Sequence, residues 1–280
     1  MASKNAQSYS GSSITELPYH QDGSVDWDTL GNIITGNMLA EVVYASYVDK
    51  KHGIPTTESF TADTDWEFSS EVDNIVVLKK KSERTFWLGR GVIEIPVRVV
   101  AEYVKDVRSS RIWDKLLVEA KYLKVLKETE TCTDYIGYQR WEDTNCFVTT
   151  KRDMLYFVRC AYLDGKYVHT AISVEDPEYP DNPDIIRVNA RAGCGFVLEP
   201  YQGDESRTLF NYLGNIDLKG VPMFIMSKIL KAHPVCAIQA LRKHFNTTQS
   251  HQSPWLFSSF NFRRRSRAHS LSTSINIPFQ

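Results

Sequence analysis

At 280 residues, 42% hydrophobic and 24% charged, the chain is long enough to bury a substantial core in one domain, or in one domain with tails. Its net charge of −1 is uneven: residues 246–280 hold four arginines and no acid, which leaves −5 on residues 1–245 and argues against nucleic acid as a partner. Five widely spaced cysteines form no CxxC pair, pointing to free thiols in a reducing compartment, and the first 22 residues carry neither an apolar core nor an arginine. No run approaches the ~18 apolar residues of a spanning helix, so a cytoplasmic chain is expected.

Residues 1–23 are rich in Ser, Asn and Gln and read as a disordered segment. Ser24 or Asp26 suits a cap for a helix over about 27–50, where Leu30, Ile33, Ile34, Met38, Leu39, Val42 and Val43 recur at three- and four-residue spacing. After a polar linker, Trp66 opens a β-rich region, with Asp73-Asn74 as the turn between strands 66–72 and 75–80. Residues 85–97 read as one or two strands, and 99–113 as a helix ending near Trp113-Asp114. Strands follow at 120–126, 135–141, 154–162, 167–174, 185–198 and 208–218, separated by turn-forming stretches such as Asp164-Gly165. No crossover helix interrupts them, which favours an antiparallel sheet with helices at its ends, an α+β fold.

Gly220 and Pro222 then open an apolar helix over about 223–245, with Pro222 at its first position and His233-Pro234 interrupting it. Ile225, Ile229, Ala232, Cys236 and Ala240 fall on one side, and Leu230, Ile238, Leu241 and Phe245 on nearly the opposite side. A helix apolar on two faces is buried on both or meets something that is not protein.

The order Trp66, Trp113-Asp114, Arg152-Asp153 with Arg159, Ser173-Val-Glu175 with Pro183, Arg187, and Asp217-Leu-Lys-Gly220 with Pro222 before a long helix resembles the START (StAR-related lipid transfer) domain. The resemblance implies a helix-grip fold: a curved antiparallel sheet around a long C-terminal helix, enclosing a cavity for one lipid. It implies a START lipid-binding domain over 24–245, and composition sets beside it the disordered segment 1–23 and a disordered aromatic and basic tail, 246–280. Ile225, Ile229, Ala232 and Cys236 are then the helix residues expected to line the cavity.

The same resemblance nominates headgroup readers. Arg159 shares strand parity with Leu155, Phe157 and Ala161, and the matching arginine in sterol-binding members faces the cavity and pairs with an acid. Gln139 stands at the position of that acid, and the interval from Arg152 to Arg159 is one residue longer than in the sterol-binding pattern. Ser110 replaces the phosphate-holding arginine of phosphatidylcholine-binding members. Asp114 and Gln139 match two ceramide-reading positions, while Ala171 replaces a third. A sterol, or another small-headgroup lipid such as ceramide, is therefore favoured over phosphatidylcholine. Phe147 and Val148 fall where the family's Ω-loop meets membranes. Trp255, Phe257, Arg263, Arg264 and Arg265 suit peripheral attachment to anionic lipid, and Ser266 and Ser270 suit a phosphorylation-dependent partner. The residues expected to act are thus lipid readers and membrane contacts, in a chain read as a monomer that binds and transfers lipid. A lipid sensor regulating a partner is the rival reading. No GxSxG elbow, P-loop, HExxH or paired metal ligands appear, so neither an enzyme nor a metal or cofactor is expected.

Overall fold

A computed structural model describes residues 17–53, 64–145 and 148–251. Helix α1 (Trp27–Ser46) is capped by Asp26, whose side chain accepts from the Thr29 amide. Leu17 packs beside α1 and Tyr19 bridges Val25, so ordered structure begins ahead of the expected boundary at residue 24. Strands β1 (Trp66–Val72) and β2 (Ile75–Lys80) flank Asp73-Asn74, both at positive φ as the tight hairpin requires. Then follow β3 (Phe86–Ile93), α2 (Val97–Lys105) and a 3-10 helix, Val107–Ile112. The expected single helix over 99–113 thus starts two residues earlier and gives way at Asp106, whose side chain caps the 3-10 turn.

Four long strands come next: β4 (Leu117–Glu128), β5 (Cys132–Asn145), β6 (Val148–Leu163) and β7 (Lys166–Ser173). The expected strand 185–198 is broken into β8 (Ile186–Arg187), β9 (Asn189–Ala190) and β10 (Cys194–Tyr201). Gly193 and Gly195, both at positive φ, turn the chain there. β11 (Asp204–Asp217) and α3 (Met223–His251) complete the described chain, with Pro234 inside α3. The chain forms two units, residues 1–245 and 246–280, and α3 runs into the second.

The strands form one sheet, ordered β1-β2-β3-β11-β10-β7-β6-β5-β4 and antiparallel along that path; β8 adds in parallel to β6 and β9 pairs with β11. Both faces are covered. Leu30, Ile34, Met38 and Val42 of α1 press on Leu155, Phe157, Ile172, Val168, Val197 and Leu213, the outer face. Val100, Ala101 and Val104 of α2 and Ile238, Leu241 and Phe245 of α3 share the other core with Met154, Tyr156, Val158, Phe196 and Phe210, the inner face. Each fully buried Val, Leu, Ile, Phe or Met among them contributes about 1.5–3 kcal/mol. Pro234 seats on Gly89 of β3, where a Cβ would lie 2.3 Å from the proline ring.

Candidate functional site

Between the inner face, α2, the 3-10 helix and α3 lies a cavity of about 340 Å³. Its wall is largely apolar: Val104, Val107, Met154, Ala171, Phe196 and Leu230. Gly137 makes room for another wall residue, Tyr156, whose ring would come within 2.9 Å of a Cβ there.

One end of the cavity is polar. The 3-10 helix ends at Trp113, and the turn that follows presents Asp114, whose carboxylate accepts from Trp141 Nε1 at 2.6 Å and the Leu116 amide at 3.2 Å. His233, brought in by α3 one residue before Pro234, places Nε2 3.7 Å from the same carboxylate. Burial opposes ionisation of Asp114, but the facing His233 and the Trp141 donor outweigh it and hold the carboxyl group below its ordinary range. Gln139 donates to Ser110 Oγ at 3.4 Å, and the Tyr212 ring stands 5.4 Å from His233. Arg152 lines the cavity with Nε tied to the Leu218 carbonyl at 3.1 Å. An acceptor carboxylate beside an amide and an imidazole suits a hydroxyl, which donates to the first and accepts from either of the others.

Of the residues nominated from sequence, Asp114, Gln139 and Ile229 lie on this cavity. Arg159 does not. It shares a face with Leu155 and Phe157 as expected, but that is the outer face, beneath α1. There it donates to both oxygens of buried Asp134 (2.8 and 2.5 Å), to Asp28 and to Asn32, passing so close under α1 that only a glycine, Gly31, fits above it. Burial disfavours its charge, yet the Asp134 carboxylate keeps the guanidinium fully protonated, its pKa raised. Strand alternation accounts for this: Arg152 of β6 lines the cavity, and Arg159, seven positions on, points to the opposite face.

The α3 stripe is also corrected. Ile225, Ala232 and Cys236 are exposed and do not line the cavity, and Ile229 touches it while remaining 44% exposed. The buried side of α3 is instead Met226, Leu230, Pro234, Ala237, Ile238 and Leu241. Phe147, Trp255, Phe257, Arg263, Arg264, Arg265, Ser266 and Ser270 lie outside the described residues, and Val148 is described in its backbone alone, as the first residue of β6.

Sequence reasoning missed Trp141, His233 and His169 as cavity residues. His233 had a signal, since it stands three residues after Leu230 on the buried side of the helix. Among the described residues no group of three metal-ligating side chains occurs, and no helix is long and apolar enough to cross a membrane.

Comparison with known proteins places this geometry. The model of the START domain family matches residues 62–253. Mitochondrial steroidogenic acute regulatory protein of Mesocricetus auratus is 27% identical over 165 residues, 58% of this chain and 56% of that one. The same protein of Oncorhynchus mykiss is 30% identical over 145 residues, 51% of this chain and 48% of that one. The chain thus matches about half the length of these curated relatives. Among solved structures, human StAR-related lipid transfer protein 5 superposes with a TM-score of 0.62 at 17% identity, covering 80% of this chain and 98% of that one. Human STARD10 gives 0.54 at 18% identity, over 74% of this chain and 90% of that one. With the fold and most of its length matched, the chain belongs to the START domain family.

Proposed function

We propose that this chain binds one compact, uncharged lipid in the inner cavity and carries it between membranes, a sterol fitting better than a phospholipid. The observation that carries the reading is the cavity itself: about 340 Å³, apolar along its wall and polar at one end. That volume sits at the small end of the ~300–1,000 Å³ spanned by ligand pockets, and suits one rigid hydrophobe better than two long acyl chains. The polar end offers the Asp114 carboxylate, and Arg152, also on the cavity, has its Nε engaged by the Leu218 carbonyl. A phosphate there would meet the negative charge of Asp114, whereas a hydroxyl finds both an acceptor and donors. Burying the rest of the ligand gains about 0.8 kcal/mol per methylene, so retention needs no covalent step and no enzyme chemistry.

Membrane exchange has a surface to use. Met223, Phe224, Ile225 and Ile229 at the start of α3 are 40–68% exposed, and Lys219, Lys228 and Lys231 lie along the same stretch. Exposed apolar side chains beside lysines favour an anionic bilayer surface.

Native mass spectrometry of the protein purified from a eukaryotic host, followed by lipid extraction, tests the reading. One sterol or other single-hydroxyl lipid per chain is expected. A folded, empty protein that takes up neither sterol, ceramide nor phospholipid would overturn it.

A further inference from the structure

The wall of the cavity holds a second polar point, away from Asp114, that the reading above leaves unused. His169 on β7 lines the cavity, its ring stacked 4.4 Å from Phe196 at an interplanar angle of 16°. Its Nε2 stands 3.4 Å from the Tyr135 hydroxyl, a long contact. Nδ1 lies against the residue's own main chain without a sound hydrogen bond. Burial pushes this imidazole down to about 4, so it is neutral at physiological pH and can both donate and accept. Nδ1 is enclosed by protein, so Nε2, with one long contact, is the nitrogen with capacity left for a ligand atom.

Its position relative to the first polar point follows from the sheet. His169, Phe196 and Tyr212 are direct register partners across β7, β10 and β11. Two strand spacings of ~4.8 Å place His169 about 10 Å from Tyr212, and the Tyr212 ring neighbours His233. The floor between them is aromatic: Phe196 stands between His169 and Tyr212.

Resting on the lipid-cavity reading, we propose that His169, positioned by the Tyr135 hydroxyl, hydrogen-bonds a second oxygen of the ligand, separated from the Asp114 end by the aromatic floor. The cavity then selects a lipid with hydrogen-bonding oxygens at both ends of a rigid ring system. Phe196 and Tyr212 form the flat surface beneath the rings, and the Asp114 end holds the first oxygen.

The test compares two probes, androstenediol and its analogue lacking the far hydroxyl, on the full chain and on His169→Phe, which keeps a ring to stack on Phe196. The wild type should prefer the diol. His169→Phe should lose about 3- to 10-fold of affinity for the diol and under twofold for the mono-ol, the range of one hydrogen bond. Tyr135→Phe should shift the same ratio in the same direction, which keeps the test decisive if the histidine variant folds poorly. Equal wild-type affinity for both probes, or variants that lose both equally, would overturn the inference alone. A folded wild type that binds neither would overturn the cavity reading and the inference with it.

Discussion

The two faces of the sheet handle polar groups in opposite ways. On the outer face, under α1, charges are met within the protein: Arg159 by Asp134, Asp28 and Asn32, Arg90 by Asp49 and Asn211, Lys80 by Glu41. Around the inner cavity, Asp114 is held by Trp141 at 2.6 Å, but the other polar groups are loosely partnered: His233 stands 3.7 Å from Asp114, Gln139 is 3.4 Å from Ser110, and His169 is 3.4 Å from Tyr135. A charge already enclosed by its counter-charges has little left for a ligand, whereas an under-partnered group in an apolar wall gains from one. Face, more than residue type, decides which polar residues act.

The contrast can be broken most forcefully at Arg159. Arg159→Leu strands the buried Asp134 carboxylate and should cost about 3–5 kcal/mol in denaturant unfolding, while lipid occupancy per folded molecule stays unchanged. A stable but empty variant would return Arg159 to the ligand site. The next effect is pH-dependent and belongs to the inner face. His169 titrates near 4 in the folded chain against 6.5 when unfolded. Between those values the unfolded chain binds a proton that the folded one does not, so stability is complete above 6.5 and falls as pH drops towards 4. The whole loss is about 3 kcal/mol, and unfolding curves of His169→Phe across that window should show it removed.

Gly31→Ala sharpens the outer-face account. Alanine normally stabilises a helix interior over glycine by about 1 kcal/mol. Here its Cβ would sit 2.2 Å from the Arg159 guanidinium carbon, so a loss of about 1–3 kcal/mol is expected. Most of that loss should vanish in an Arg159→Leu background. The smallest effect is at the cavity's polar end: Asp114→Ala should weaken sterol binding per folded molecule about 3- to 10-fold, the range of one hydrogen bond, with some loss of stability because Trp141 Nε1 loses its acceptor. Titration of a fluorescent sterol would measure it, and full affinity would remove Asp114 from the site.

Much of this architecture was legible in the sequence. The four-residue spacing of Leu30, Ile34 and Met38 marked α1, and Asp73-Asn74 marked the first hairpin at its observed place. Family motifs supplied the rest of the fold. The site was legible at Asp114 and Gln139, which the 3-10 helix and β5 bring to the cavity. It was not legible at Arg159, because strand alternation says which residues share a face but not which face encloses the ligand. With helices over both faces, each set of alternate residues is apolar, and periodicity cannot separate them. The α3 stripe failed similarly: Ile225, Ala232 and Cys236 look like lining residues on a wheel, yet the packed side is set by Leu230, Ile238 and Leu241. His169 alternates with Tyr167 and Ala171 as any strand residue would, and only the ring rows across β7, β10 and β11 distinguish it.

The proposed lipid site lies on the inner face of the sheet and not on the face under α1. Residue-resolved photocrosslinking with a diazirine-bearing sterol tests it directly, since adjacent residues of β6, β7 and β10 point to opposite faces. Labels are expected on Met154, Tyr156, Ala171 and Phe196; labels on Leu155, Phe157, Ile172 and Val197 would overturn this placement.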